Sequence, residues 1–343
     1  MRSKAPRIQD VAEAAGVSTA TVSRALSDPE RVSEATRRTV LAAVERTGYS
    51  ANRAARMLRT RRAGAVLVLV PNLGNPFFSQ ILSGIEAVFA AAGTSVLIAD
   101  TQEQPIGPGQ IARYISGGHA DGLISLDGAI APETLADEAQ LPEGAPLVFA
   151  CEWSAAGRFP SIRSDNADGV AQAVDHLVGL GHRRIGMVGG PDGNVLSAAR
   201  EGAFRDALAR HRIAPRDDWF VPGDFSLEAG RQAARRLLEM TDRPTAVFCA
   251  ADQMALGLIG ELRSRGASVP EELSVVGFDD IEIAEHVWPG LTTIRQRRHD
   301  LGRRAAEILL ARLAAPEPAR AETTILPVAL VVRGSTGPAP GGR

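Results

Sequence analysis

The sequence predicts an all-α helix-turn-helix headpiece followed by an α/β core of two doubly wound halves. Three observations predict it. Apolar residues recur at helical spacing over roughly the first fifty positions, interrupted by a Gly turn between two short helical stretches. From residue 64 onward, short β-branched runs alternate with helical patterns. Charge divides along the same line: residues 1–62 hold 13 Lys/Arg against 6 Asp/Glu, a net of +7, and the rest hold 25 against 34, a net of −9. A length of 343 residues with 45% hydrophobic content allows two or three domains with sizeable cores. The expected divisions are a headpiece at 1–49, a hinge helix and linker at 50–62, and a core at 63–343.

Residues Ile8 to Leu26, IQDVAEAAGVSTATVSRAL, predict two short helices around a turn at Gly16-Val17. Val11, Ala12 and Ala15 share an apolar stripe. Gly16 suits a turn conformation that a side chain would resist, and Ser18 is placed to N-cap the second helix. Val22 and Leu26, four apart, face the first helix, which leaves Thr19, Ala20, Ser23 and Arg24 on the outer face. A helix-turn-helix carries its base-reading side chains near the start of its second helix, where small residues allow close approach and an arginine reaches guanine or phosphate. Ser18, Thr19, Ala20, Thr21, Ser23 and Arg24 are therefore candidate DNA contacts.

Ser33 opens a third helical pattern, SEATRRTVLAAVERTG, with Val40, Ala43 and Val44 on one face and Gly48 as its stop. The stretch Tyr49 to Leu58 then predicts a short helix with arginines on one side, ending in Met57 and Leu58. Only this basic amino-terminal piece is fit to sit on phosphates. The acidic body would be repelled from DNA, which orients the molecule on encounter.

In the core the strand candidates are residues 65–70, 95–99, 122–126, 146–150, 184–190, 245–250 and 273–278. Strands alternating with helices mean parallel sheets covered on both faces. The alternation is too long for one such sheet. A break near Ser161 to Asp165, followed by an amphipathic helix from Asn166 to Leu180, marks the second half. Asn75-Pro76-Phe77-Phe78 follows the first strand: Asn75 can cap a helix, Pro76 suits its first position, and two aromatics sit at its mouth. The tail after Leu330, VVRGSTGPAPGGR, is rich in Gly and Pro and is expected to be disordered beyond about Arg333.

These segments together resemble the lactose-repressor and galactose-repressor (LacI/GalR) family of bacterial transcription regulators. The family's DVAxxAGVSxxTVSR pattern stands at Asp10 to Arg24, and its hinge-helix pattern N-R-x-A-x-x-L at Asn52 to Leu58. The resemblance implies base reading in the major groove by Thr19, Ala20 and Arg24. It adds Asn52, Arg53, Ala55 and Leu58 as hinge contacts, with Leu58 wedged into the minor groove at the operator centre. It also implies a periplasmic-binding-protein-like core whose two subdomains are joined by three crossovers, near 163, 292 and 325. One subdomain is then about 63–163 with 293–324, and the other 164–292 with 325–338.

In such architectures ligands bind beyond the carboxyl ends of strands, here in the cleft between subdomains. The implied effector contacts are Asn75, Phe77, Phe78, Cys151, Trp153, Arg200, Phe225, Ala251 and Asp279. Arg200 and Asp279 match the family's charged effector contacts, and Asp280 is expected to brace the following turn. Cys151 and Ala251 stand where many members carry Asp and Asn, so two polar contacts are missing. Glu152 or Trp153 could compensate, and Phe225 could supply an apolar wall.

The function implied is a sequence-specific DNA-binding transcription regulator, a repressor, that works as a homodimer on a near-palindromic operator and is controlled by a small polar effector such as a sugar or sugar-derived metabolite. An activator or dual regulator responding to a nucleobase or another metabolite is the alternative. An enzyme is not expected. Pro191 interrupts the Gly-rich stretch 189–193, no G-x-x-x-x-G-K-[ST] stands anywhere, and the six histidines have no metal-binding spacing. Cys151 and Cys249, far apart, give neither metal-ligand spacing nor C-x-x-C, so no metal or cofactor is expected. The start MRSKAPRIQD lacks the apolar stretch of a signal peptide, and no apolar run is long enough to span a bilayer, so a cytoplasmic location without membrane contact is expected.

Overall fold

The computed structural model describes residues 6–27, 29–49, 62–102, 113–115, 117–128, 146–153, 159–315 and 322–340. The chain divides into two units, Met1–Arg62 and Ala63–Arg343.

Among the described residues the first unit holds three helices: α1 (Ile8–Ala15), α2 (Thr19–Ser27) and α3 (Glu34–Thr47). Gly16 ends α1 in the left-handed conformation at φ 66°, and Gly48 ends α3 in the same way at φ 65°. Ser18 Oγ accepts the Thr21 amide at 3.1 Å, and Ser33 Oγ accepts that of Thr36 at 3.2 Å, so α2 and α3 each start on a side-chain acceptor. Val11, Ala12, Val22, Ala25, Val40 and Ala43 form the core, with Ala15, Leu26, Val44 and Tyr49 packed around it. Arg46 donates to the Ala14 carbonyl at 2.6 Å and ties α3 to α1.

The second unit contains two six-stranded sheets. The first comprises β1 (Ala65–Val70), β2 (Ser95–Asp100), β3 (Leu123–Ser125), β4 (Leu147–Ala150), β5 (Ser161–Ser164) and β11 (Thr323–Leu326), in the spatial order β11-β5-β4-β3-β1-β2, all parallel. The second comprises β6 (Ile185–Val188), β7 (Phe220–Val221), β8 (Ala246–Cys249), β9 (Ser274–Asp279), β10 (Thr292–Arg295) and β12 (Ala329–Val331), in the order β12-β10-β9-β8-β6-β7. Only the β10–β12 pair is antiparallel. Every residue of β1, AVLVLV, is buried, as a parallel strand covered on both faces requires. Each fully buried Val, Leu, Ile or Phe contributes about 1.5–3 kcal/mol.

Among the described residues the α-helices of this unit are α4 (Phe77–Ala91), α5 (Asn166–Gly179), α6 (Val195–Arg210), α7 (Leu227–Glu239), α8 (Asp252–Ser264) and α9 (Arg298–Ala314). Glycines let two helix pairs touch backbone to backbone. A Cβ on Gly302 would lie 2.0 Å from the Ile81 carbonyl oxygen, joining α9 to α4, and one on Gly257 would lie 2.0 Å from that of Leu227, joining α8 to α7. The chain passes between the two sheets three times, between Ser164 and Asn166, between Arg295 and Arg298, and between Leu326 and Ala329.

The seven strands expected from β-branched runs are present. The segment at 161–165 expected only as a break is strand β5, and β7, β10, β11 and β12 were not foreseen. The carboxyl-terminal tail also departs from expectation, because it is ordered past Arg333. Ser335 is fully buried: its Oγ donates to the Val275 carbonyl at 2.6 Å and accepts the Thr292 amide at 2.8 Å. Gly337 donates its amide to Ser274 Oγ at 3.0 Å, its carbonyl lies 3.0 Å from His182 Nε2, and Ala339 donates to the Leu180 carbonyl at 2.9 Å. Backbone hydrogen bonds fasten this segment to the amino ends of β9 and β10. Composition measures apolar content and does not register that kind of attachment.

Candidate functional site

Two sets of candidate residues can be placed, one on each unit. On the first unit, Ser18, Thr19, Ala20 and Arg24 are exposed along the start and outer face of α2, with Thr21 and Ser23 half-buried beside them. The burial of Val22 and Ala25 rotates α2 so that this polar face turns outward. Arg24 donates from Nε to the Ala20 carbonyl at 3.3 Å, which steadies its base while the side chain stays accessible. Asn52, Arg53, Ala55 and Leu58 lie outside the described residues.

On the second unit, the carboxyl ends of the strands from both sheets face one cleft. Asn75, Phe77, Phe78, Cys151, Arg200, Phe225, Ala251 and Asp279 line a cavity of about 40 Å³ together with Leu126, Glu152 and Leu196. That volume has room for a water or two rather than a metabolite. A larger cavity of about 550 Å³ shares Asn75, Phe78, Glu152 and Phe225 with it and adds residues including Asn72, Thr101, Asp127, Asp192, Asn194 and Asp224. Trp153 lines neither: its ring takes the Arg163 guanidinium at 4.2 Å. Eight of the nine effector candidates therefore form the floor of the cleft, and the ligand-sized space lies above them.

Local structure explains the floor. Asn75 Oδ1 accepts the Phe77 amide at 3.0 Å in a turn at the entry to α4, whose N-cap position is Pro76, and the Phe77 and Phe78 rings that follow stand edge to face at 5.1 Å. Cys151, Phe225 and Asp279 all have positive φ, at 70°, 65° and 134°. Side-chain-bearing residues held there cost of order 1–3 kcal/mol each and cluster at ligand sites.

Arg200 is buried. Its Nε donates to Asn166 Oδ1 at 2.8 Å, its Nη1 to the Ala250 carbonyl at 2.5 Å, and its guanidinium lies 3.9 Å from the centre of the Phe278 ring. It is thus a brace of the floor as well as a charge behind it. Asp279 accepts from Gln296 Nε2 at 2.7 Å. Burial pushes the acids of Asp279 and, behind it, Asp252 up from the usual carboxylate range; Arg200 opposes the shift at Asp279, and the charge of Asp279 adds to it at Asp252. Asp252 serves structure, accepting the Ile281 amide at 2.9 Å and the Thr293 hydroxyl at 2.5 Å. Asp280 braces its turn through Arg295 at 2.5 Å and Arg333 at 2.7 Å.

Glu152, named in the sequence only as a possible substitute, is central to the cleft. It follows β4, is buried, and accepts Asn194 Nδ2 at 3.0 Å and the Gly128 amide. Burial, with the nearby charge of Asp127, holds its acid up to about 7. Asp127, which accepts the Thr101 hydroxyl, and Asn194, which caps α6, were not foreseen. Their positions just after the ends of β3 and β6 were the available signal. His182 is a packed core group with Thr245, Ser274 and Gly337 around its ring.

Comparison with known proteins places these two units in context. Residues 7–52 match the family described as bacterial regulatory proteins, lacI family, and residues 174–336 match the periplasmic binding protein-like domain. The chain is 36% identical over 333 residues to the HTH-type transcriptional repressor CytR of Escherichia coli (strain K12), covering 97% of this chain and 96% of that protein. Among solved structures it is similar to the lac repressor dimer bound to operator and the anti-inducer ONPF, at TM-score 0.81 and 32% identity, covering 97% of this chain and all of that one (100%). It is also similar to the transcriptional regulator CelR in complex with cellobiose, at TM-score 0.72 and 31% identity, over 96% of this chain and 99% of that chain. These relatives are transcription regulators. Among the described residues, no helix is long and apolar enough to cross a membrane.

Proposed function

We propose, from the premise that this chain belongs to the lacI family of bacterial regulatory proteins, that it is a repressor whose hold on a specific operator is set by a small polar effector. The observation that carries the reading is the presence on one chain of a helix-turn-helix with an exposed polar recognition face and of a cleft between two parallel-sheet halves. α2 enters the major groove with Thr19, Ala20 and Arg24 toward the bases, and Ser18, Thr21 and Ser23 toward the backbone. Two copies pair so that two headpieces meet two half-sites of a near-palindrome.

The effector occupies the larger cavity above Phe78, Arg200, Phe225 and Asp279. It shifts the balance between two arrangements of the halves by its differential affinity for them, and that difference is what changes operator affinity. The protein acts in the cytoplasm and catalyses no reaction; its residues bind and transmit.

The test is selection of an operator from random duplexes with the full chain, followed by anisotropy titration at fixed salt with and without members of a broad metabolite panel. A single enriched palindrome, and at least one metabolite that shifts its affinity, are expected. Binding without sequence preference would overturn the reading, as would an operator affinity that no metabolite moves.

A further inference from the structure

Beside the second passage, Arg298 at the start of α9 belongs to the half built on the first sheet and reaches across to the other. Its side chain is only 8% exposed, and its Nη2 donates to the Asp280 carbonyl at 3.0 Å and to Glu282 Oε1 at 3.2 Å. Nη1 of the same guanidinium donates to the Pro76 carbonyl of its own half at 3.4 Å. Gln80 Nε2, one turn into α4, donates to the same Glu282 oxygen at 3.2 Å. One carboxylate of the second half is thus held by two side chains of the first.

Both sides of this contact are rigid. A Cβ on Gly84 would lie 2.2 Å from the His299 carbonyl oxygen, so α4 and the first turn of α9 touch backbone to backbone and carry Pro76, Gln80 and Arg298 as one body. On the other side, Arg295 and Arg333 hold the Asp280 carboxylate, two residues before Glu282. The contact also adjoins both walls of the cleft. Pro76 directly precedes Phe77 and Phe78, and Asp280 directly follows Asp279. Both aspartates have positive φ, 134° and 54°, which leaves little slack between the cleft floor and Glu282. The charge of Arg298, after that of Arg200, opposes the upward push of burial on the Asp279 acid.

This contact can open at modest cost. Glu282 is 55% exposed, and a cavity of about 370 Å³ lined from both halves, by Gln80, Arg297 and Arg298 on one side and Asp280 and Arg295 on the other, gives water access to the separated groups. Arg200 differs on both points: it is enclosed, and its acceptors Asn166 and Ala250 belong to its own half.

Resting on the reading of two arrangements of the halves whose balance the effector sets, we propose that Arg298 and Gln80 form with Glu282 a clasp that holds the halves in the arrangement of this structure, and that Arg298 is thereby a positioning residue for the regulatory response. A ligand that moves Phe77, Phe78 or Asp279 changes the spacing of the two sides of the clasp. Loss of the clasp favours the other arrangement without altering a single ligand contact.

The test uses the full chain with spin labels on Arg236→Cys in α7 and Ala311→Cys in α9, both exposed, while the native Cys151 and Cys249 are buried. Labelled chain is mixed with excess unlabelled chain, so that pulsed electron paramagnetic resonance reads the distance between halves within one protomer. Glu282→Ala is expected to move the ratio of the two arrangements about threefold away from the wild-type distance. Glu282→Arg sets like charges together and should move it about tenfold, with Glu282→Gln lying between the wild type and Glu282→Ala. On the selected operator without added metabolite, affinity should change in the same order. Unchanged distances in Glu282→Arg overturn the clasp, even beside a lowered unfolding midpoint, which a purely structural contact would give. Shifted distances with unaltered operator affinity overturn its part in regulation. The distances need neither operator nor metabolite, so a failure of the repressor reading, seen as no enriched operator, is distinct from a failure of the clasp.

Discussion

Asn194, at the start of α6 on one half of the core, donates a hydrogen bond of 3.0 Å to Glu152, at the end of β4 on the other half, and so ties the two walls of the cleft. The Gly128 amide holds the other carboxylate oxygen, and burial with the charge of Asp127 keeps the acid up to about 7, against an ordinary value of 4.5.

A pH dependence of stability follows. Between pH 4.5 and about 7 the folded chain keeps a proton on Glu152 that the unfolded chain has released. The contribution is therefore fully present below the unfolded value and is lost as pH rises through the folded one, amounting to roughly 3 kcal/mol. Denaturant titrations of the wild type and Glu152→Gln across this range should show the wild type losing stability more steeply. Parallel profiles would remove Glu152 as the source.

Arg200→Ala should destabilise the core by about 3–5 kcal/mol, because it leaves Asn166 and the Ala250 carbonyl without their buried donor and Asp279 without its nearby cation. Arg200, which the family resemblance implies as an effector contact, also holds the floor together. Loss of effector response in this variant is informative only beside a measured unfolding midpoint. A variant with wild-type stability would restore a purely ligand-facing role.

Gln296 connects the cleft to two of the passages between halves: its Nε2 donates to Asp279 at 2.7 Å while its Oε1 accepts Ser164 Oγ at 2.5 Å. Gln296→Leu should cost about 1–3 kcal/mol in stability. It should also change the ratio of operator affinities with and without effector more than it changes effector affinity itself. Calorimetry and operator titration together read both quantities, and an unchanged ratio would exclude Gln296 from the coupling.

Ser335→Ala should lower stability by about 1–3 kcal/mol by stripping the Val275 carbonyl and the Thr292 amide of a buried partner. Truncation after Arg333 should cost more. A truncated chain with an unchanged unfolding midpoint would show that the tail adds nothing.

Arg24→Ala should weaken specific operator binding by about 1–3 kcal/mol at fixed salt, the worth of a bidentate base contact, with little effect on random DNA. Equal losses on both would recast Arg24 as a phosphate contact.

Local chemistry made the headpiece legible in the sequence. Gly16 and Gly48 end helices, Ser18 and Ser33 start them, and the apolar spacing of Val11, Val22 and Val40 fixes which faces turn inward. The same holds for the seven β-branched strands of the core, whose burial on both faces demands continuous apolar runs such as AVLVLV. Short polar strands such as β5 and β10 escaped, because their pairing partners rather than their own composition make them strands.

Strand ends were recognisable as the place for a site, and Asn75, Phe78 and Phe225 were found there, yet Trp153 turned to Arg163 and Glu152 took the central position. The tertiary structure alone decided that Glu152 meets Asn194, that Gln296 reaches both Ser164 and Asp279, and that a Gly/Pro-rich tail is bound along β9 and β10. Each of these joins residues far apart in the chain through hydrogen bonds whose geometry exists only once the sheets have packed. Propensity and periodicity act over a few residues and carry no information about such pairings.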